Sequence, residues 1–135
     1  MLKILLVEDS PLLQPRLKQS LEESLKGVNV DIAGNYTDAL SMLTQEYQAY
    51  VIDGSFPMNP DGKVEKLGLK LAEEIHRRGI DYSRIAIISL EEFILRNARK
   101  LGIEKVYAKG APIPELGIKE VIPSLAEDLK PLLAA

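Results

Sequence analysis

Five short apolar runs alternate with five helix-like segments along this chain of 135 residues. Runs rich in Val, Ile and Leu that are bounded by turn residues are typical of buried strands. An unbroken strand–helix alternation favours a parallel sheet covered by helices on both faces. The strands are expected at Met1–Val7, Val28–Ala33, Gln48–Asp53, Ile85–Ser89 and Lys105–Ala108. We therefore predict a five-stranded α/β fold, in a single domain over residues 1–135 with no output domain.

The first helix shows the clearest helical spacing. Its apolar stripe consists of Leu13, Leu17, Leu21 and Leu25, which lie four residues apart and so share one face. A helix that began at Pro11 would lose a backbone hydrogen bond at Pro15 in its second turn. The regular helix is therefore expected to begin near Gln14.

The remaining segments give predictions that the structure can test. Further helices are expected near Thr37–Glu46, from Gly68 to about Gly79, and at Glu91–Leu101. Proline and glycine in residues 55–66 favour a loop there. Because Pro123 is well tolerated only in the first turn of a helix, the last helix is predicted at Ile122–Leu133, with residues 110–121 in a longer loop.

Polar residues stand where the predicted strands end. Asp53 closes the third strand, and because a charge is costly to bury, it should lie at the rim of the sheet. Glu8 and Asp9 follow the first strand, Ser89 ends the fourth, and Lys109 follows the fifth. The carboxyl ends of parallel strands form the edge where ligands bind in open sheets. We therefore expect these side chains to form one site.

Three carboxylates at one edge would repel one another and raise each other's pKa values unless a cation lies among them. A hard divalent cation would relieve that repulsion. Mg²⁺ typically takes one or two protein carboxylates and completes its shell with water and phosphate oxygens. The residue types therefore predict Mg²⁺ as the cofactor.

The order acidic pair, Asp, Ser and Lys, each at a strand end, resembles the receiver domain of two-component response regulators, such as the chemotaxis receivers. The likeness covers essentially the whole chain and implies a flavodoxin-like, doubly wound (βα)5 fold with strand order 2-1-3-4-5. It also implies a function: a phosphoprotein in a phosphorelay that accepts a phosphoryl group from phosphohistidine and catalyses at most its own phosphorylation and dephosphorylation.

The resemblance assigns a role to each polar position. Asp53 would be the phosphoacceptor, and Mg²⁺ would be held by Glu8, Asp9, Asp53 and the backbone carbonyl of Ser55. Ser89 and Lys109 would contact the phosphoryl group. Pro57, four residues past the acceptor, matches the family's active-site loop. The implied partners are a sensor histidine kinase or a histidine phosphotransfer protein, and a downstream protein target.

Two other functions remain open. Leu90 follows Ser89 where the family has a small residue, Gly110 follows Lys109 where it has Pro, and Val106 stands where it usually has an aromatic residue. These departures favour a pseudo-receiver that binds proteins without being phosphorylated. The segment 51–55 also resembles the first motif of haloacid-dehalogenase phosphohydrolases. That family, however, wants a second Asp where this chain has Ser55.

Composition excludes several classes of function. The net charge of −3 argues against nucleic acid or an anionic membrane as a partner. The absence of cysteine excludes disulfides and thiol sites. The first strand begins at once, without a signal peptide, so a cytoplasmic location is expected. The single histidine, His76, belongs to a predicted solvated helix face, so a donor histidine is expected on another protein.

Overall fold

A computed structural model describes residues 2–109 and 114–134. Five parallel strands form the main sheet: β1 (Leu2–Val7), β2 (Val28–Ala33), β3 (Ala49–Asp53), β6 (Ile85–Ser89) and β7 (Lys105–Ala108). Their order is β2-β1-β3-β6-β7. Since β6 and β7 are the fourth and fifth strands of this sheet along the chain, the predicted fold and strand order are confirmed.

Five helices cover the sheet: α1 (Leu13–Ser24), α2 (Tyr36–Met42), α3 (Gly68–Arg77), α4 (Glu92–Leu101) and α5 (Pro114–Leu133). Helices α1 and α5 pack on one face, and α2, α3 and α4 pack on the other. None of the helices in the described part of the chain combines the length and apolar character needed to cross a membrane.

Each face of the sheet has its own hydrophobic core. Along β1, Ile4 and Leu6 pack towards α1 and α5, whereas Leu5 and Val7 pack towards the other three helices. This alternation follows from the period of two in a strand. All four side chains are almost completely buried, as expected for a central parallel strand covered on both sides.

The first helix begins within one residue of the predicted start. Pro15 is its third residue, where a backbone N–H has no intrahelical acceptor in any case. Another first-turn amide, that of Leu13, donates to the Ser10 hydroxyl in the preceding loop at 3.3 Å. Proline is therefore tolerated here without a broken helical hydrogen bond.

Helix α2 is shorter than predicted and ends at Met42 rather than near Glu46. The following residues form turns that bring the chain to the sheet, where the Gln48 amide donates to the Lys3 carbonyl at 2.9 Å. The helical pattern of the sequence continues beyond the point where the chain must turn into β3.

The prediction of a plain loop over residues 55–66 is partly wrong. Two short antiparallel strands, β4 (Phe56–Pro57) and β5 (Val64–Glu65), form a small hairpin there. The Phe56 side chain is completely buried in the core beneath α3 and α4. This burial anchors the first strand of the hairpin, while residues 59–66 are exposed.

The predicted start of the last helix is also wrong. Helix α5 begins at Pro114, so residues 114–121 are helical rather than part of a loop, whereas residues 110–113 lie outside the described part of the chain. Pro123 lies inside the helix, and its side chain is exposed. Buried residues on the opposite side stabilise the helix against this cost. They are Val121, Ile122, Leu125, Ala126 and Leu129.

Candidate functional site

The strand register brings the predicted polar residues to one edge of the sheet. Val7 pairs with Ile52, and Asp53 pairs with Ile88, so β1, β3 and β6 end at nearly the same level. A cleft of about 340 Å³ opens at this edge. Its walls include Glu8, Asp9, Asp53, Ser55, Ser89 and Lys109. Pro57 is not part of the walls and is buried in the hairpin.

Three carboxylates lie close together in the cleft. Glu8, Asp9 and Asp53 each place a carboxylate oxygen within 4.8 Å of the other two. Glu8 is only 3% exposed, whereas the side chain of Asp53 is 12% exposed. The first strand thus supplies a deeply buried acid, and the third supplies one that an incoming group can reach.

Lys109 is the cation nearest to these acids. Its Nζ lies 3.0 Å from Oδ2 of Asp53 and 3.8 Å from Oε1 of Glu8. The side chain is buried, and its backbone amide donates to the Ser89 carbonyl at 3.0 Å. That backbone contact positions the ammonium group relative to the end of β6.

Burial is the main cause that raises the pKa of the Glu8 carboxyl, to about 8, and the negative charge of Asp53 acts in the same direction. The charge of Lys109 and a hydrogen bond from the Ser10 amide, at 3.1 Å, lower the pKa but do not cancel those effects. The cluster therefore contains more negative charge than its single lysine can balance.

This donor set fits a hard divalent cation. When all three carboxylates are ionised, as they would be around a bound cation, one ammonium group leaves two negative charges without a counter-ion. Carboxylate oxygens are the ligands that Mg²⁺ prefers, and it needs only one or two of them when water and phosphate oxygens fill the other positions. The Ser55 amide approaches Oδ1 of Asp53 at 3.4 Å, so the loop that would supply the carbonyl ligand adjoins the cluster.

Ser89 lies across the cleft at the end of β6. Its side chain is buried, and its hydroxyl accepts a hydrogen bond from the Glu91 amide at 3.0 Å. Leu90, the next residue, is 55% exposed and forms part of the cleft wall. The bulky side chain of Leu90 is therefore largely in solvent at the margin of the cleft.

Three solved structures show what this arrangement is similar to. A response regulator receiver domain from Francisella shares 22% identity, covers 96% of this chain and 100% of its own, and has a TM-score of 0.66. A receiver domain protein from Clostridium thermocellum shares 20% identity over 98% of this chain and 99% of its own, with a TM-score of 0.67. The Mn²⁺-bound response regulator Rcp1 shares 17% over 96% of each chain, with a TM-score of 0.70.

The chain has the receiver-domain fold. The resemblance inferred from the sequence is thus confirmed at the level of the fold. No family model and no curated protein sequence matches this chain.

Two glycines in this receiver fold allow a close approach that sequence reasoning missed. A Cβ atom on Gly68 would lie 2.4 Å from the Asp53 carbonyl oxygen, and one on Gly54 would lie 2.7 Å from the Ser89 hydroxyl. Both distances are far below van der Waals contact. The position of Gly54 directly after Asp53 could have indicated its role from the sequence. The sequence gives no such indication for Gly68, because the Asp53 carbonyl that it approaches is distant along the chain.

The end of β7 shows how this receiver fold departs from the family pattern. Val106 packs with the core beneath α3 and α4, whereas Tyr107 packs with the core beneath α1 and α5. The two neighbours thus face opposite sides of the sheet, as the period of two in a strand requires. The Tyr107 hydroxyl donates to the Asp128 carboxylate of α5, so the aromatic residue is tied to the face that does not carry α4.

Proposed function

We propose that this chain is a response regulator receiver in a two-component phosphorelay, phosphorylated on Asp53. The observation that carries the proposal is the contact of Asp53 with Lys109, at 3.0 Å, beside the acidic pair Glu8 and Asp9. A partly exposed carboxylate held between a cation and a metal-ligating cluster is suited to accept a phosphoryl group. An acid that only capped a strand would not need buried partners.

The transfer requires a carboxylate nucleophile and a phosphohistidine donor. An oxygen of Asp53 would attack the phosphorus, the phosphorus–nitrogen bond would break, and its electron pair would return to the donor imidazole. Lys109 would neutralise negative charge on the phosphoryl oxygens, and the Ser89 hydroxyl would donate a hydrogen bond to one of them. Ser89 is free to donate, because its hydroxyl acts as an acceptor for the Glu91 amide.

Mg²⁺ is the proposed cofactor. Glu8, Asp9, Asp53 and the backbone carbonyl of Ser55 would hold it. The ion would supply positive charge that screens the nucleophile from the incoming phosphoryl oxygens. Glu8 accepts the Ser10 amide at 3.1 Å, and its backbone carbonyl accepts from Gln14 at 2.6 Å, so the ligand loop is already oriented.

The donor histidine belongs to another protein in this proposal. His76 lies at the end of α3, where its ring stacks on Tyr82 at 3.9 Å and Nδ1 contacts the Ile80 carbonyl at 2.9 Å. These contacts describe a structural role away from the cleft. The donor would be a sensor histidine kinase or a histidine phosphotransfer protein in the cytoplasm, with no part played by nucleic acid or membrane.

The output would be protein binding. Phosphorylation would shift an equilibrium between two conformations of the surface formed by α4, β7 and α5, and a downstream protein target would bind one of them. The chain would catalyse at most its own phosphorylation and dephosphorylation.

Intact mass tests the acceptor. Incubation with Mg²⁺ and acetyl phosphate or phosphoramidate is expected to add one phosphoryl group to the wild type and none to Asp53→Asn. Asp61→Asn is the matched control, because Asp61 is exposed in the nearby hairpin, and it should label like the wild type. Failure of every small donor, with both the wild type and Leu90→Ala, would favour the pseudo-receiver instead.

Titration tests the metal site separately. Asp9→Ala and Asp53→Asn are each expected to weaken Mg²⁺ binding by at least about tenfold, since each removes a negatively charged ligand. Asp61→Asn should leave the affinity unchanged. Equal affinity in the wild type and both ligand variants would remove Mg²⁺ from the proposed mechanism.

A further inference from the structure

A second cavity lies at the opposite edge of the sheet from Asp53. It has a volume of about 300 Å³ and opens where β3 and β6 begin, beside the C-terminal ends of α2 and α3. This volume is at the lower end of the range for sites that hold small organic ligands. None of the residues assigned to phosphoryl transfer lines it.

Part of the cavity wall is apolar. Tyr50, which is 2% exposed, lines it together with Leu43, Ile75 and Ile80. The ring of Tyr50 meets that of Tyr47 edge to face, with centroids 5.7 Å apart. This packing holds the Tyr50 ring in place, and the half-buried side chains of Leu43 and Ile80 form the apolar surface that a ligand can reach.

Arg84 supplies a fixed cation at the same cavity. Its Nε donates to the Gln48 carbonyl at 3.0 Å, and Nη2 donates to the Tyr47 carbonyl. Its Nη1 makes no hydrogen bond with any residue in 2–109 or 114–134. A guanidinium group held by two backbone carbonyls loses little further conformational entropy when it binds an anion.

Two further donors line the cavity. Arg78 uses Nε to contact Glu74 at 3.1 Å, and its terminal nitrogens bind nothing within the described ranges. The Tyr50 hydroxyl donates no hydrogen bond to any residue in the described part of the chain, so its proton is available to a ligand in the cavity. The cavity is therefore lined by several hydrogen-bond donors that have no acceptor within the described part of the chain.

The charges around the cavity limit the ligand to one negative charge. Glu46 is the one carboxylate among the lining residues described, and Glu74 pairs with Arg78 at 3.1 Å, so two carboxylates stand against the two arginines. The C-terminal ends of α2 and α3 also point their negative dipole ends towards this region and oppose an anion. The cavity therefore has no net positive charge to hold a doubly charged phosphate, and a singly charged carboxylate bound by individual donors suits it better.

We propose that this cavity is a binding site for a small organic monocarboxylate with an apolar body. Arg84 and Arg78 bind the carboxylate, the Tyr50 hydroxyl donates to one of its oxygens, and the apolar body packs against Leu43 and Ile80. The site is separate from the phosphoacceptor cleft and does not depend on its function.

Benzoate is the probe, and benzamide is its neutral isostere. Amide chemical shifts of the full chain, followed by NMR during titration, should show saturable changes with benzoate in residues 43–50 and 75–84. Tyr50→Phe and Arg78→Gln should each weaken binding by at least about fivefold, because each removes one hydrogen bond to a charged ligand. Arg77→Gln is the matched control, since Arg77 is the neighbour of Arg78 but does not line the cavity, and it should bind like the wild type.

Three results would overturn the proposal. Benzamide binding as tightly as benzoate would show that the carboxylate is not recognised. Shift changes confined to the cleft around Lys109 would place binding at the other site. An absence of saturable changes with benzoate would show that the cavity takes no such ligand. Preservation of the amide spectrum in Tyr50→Phe, which keeps the ring, shows that any loss is not due to unfolding.

Discussion

Glu8 and Asp53 share one lysine unequally. Lys109 is within hydrogen-bond distance of Asp53 at 3.0 Å but lies 3.8 Å from Glu8. Glu8 is also the more deeply buried of the two acids. Burial, with the nearby negative charge of Asp53 acting in the same direction, therefore raises the pKa of Glu8.

This difference predicts how stability changes with pH in the metal-free protein. The Glu8 carboxyl would keep its proton up to about pH 8 when folded and release it near pH 4.5 when unfolded. Between these values the folded state binds more protons, so the free energy of unfolding should fall as pH rises, by up to about 1.4 kcal/mol per pH unit. Urea denaturation with a chelator present measures this change.

Glu8→Gln is the variant that isolates the effect. It cannot titrate, so its free energy of unfolding should depend less on pH across this window and should exceed that of the wild type near pH 8. The same slope in both proteins would show that the charge of Glu8 is compensated in the folded state after all.

At the level of elements, α5 forms in spite of its local sequence. Pro123 has no backbone N–H to donate and lies inside the helix. The apolar side of the helix is nevertheless buried, with Leu125 and Leu129 completely inaccessible. Because packing of an apolar face stabilises a helix more than propensity does, the helix continues through the proline.

Replacing this proline should therefore stabilise the protein. Pro123→Ala restores a hydrogen-bond donor at an exposed position and is expected to raise the free energy of unfolding by about 1 to 3 kcal/mol. Pro60→Ala is the control, because Pro60 is exposed in the hairpin and lies outside any helix. Alanine there would raise the conformational entropy of the unfolded chain, so the free energy of unfolding should not increase. Chemical denaturation of both variants measures the difference. A Pro123→Ala protein no more stable than the wild type would mean that the helix already accommodates the proline without cost.

At the scale of the molecule, the sheet separates two hydrophobic cores. Leu21 of α1 lies in one and Leu71 of α3 lies in the other, and both are completely buried. The strands between them contribute side chains alternately to the two sides. Stability therefore depends on both cores, although they have no side chain in common.

Truncation of one residue in each core tests this separation. Leu21→Ala and Leu71→Ala should each lower the free energy of unfolding by about 2 to 5 kcal/mol. In the double variant the losses should add to within about 0.5 kcal/mol. Leu12→Ala is the exposed control and should cost little. Urea denaturation of the wild type, the two single variants and the double variant gives the coupling energy between the two sites. A coupling energy above about 0.5 kcal/mol would show that strain passes through the sheet.

The sheet and the position of the cleft could both be predicted from the order of the apolar runs and the polar residues at their ends. Short apolar runs bounded by turn residues predicted the five buried strands, and the carboxyl ends of parallel strands share one edge of a sheet. The residues that follow those runs, such as Asp9, Asp53 and Lys109, were therefore bound to meet. These are local patterns, and their consequence does not depend on how distant segments pack.

Which charges are compensated and which segments are anchored could not be predicted in this way, because both depend on packing between distant parts of the chain. The burial of Glu8, the hairpin anchored by Phe56 and the course of α5 through Pro123 all depend on neighbours far away in sequence. The cavity beside Arg84 likewise needs two helix ends and two strand ends to meet. Burial, and the pKa shifts it causes, arise from the packed environment, which a local pattern does not specify.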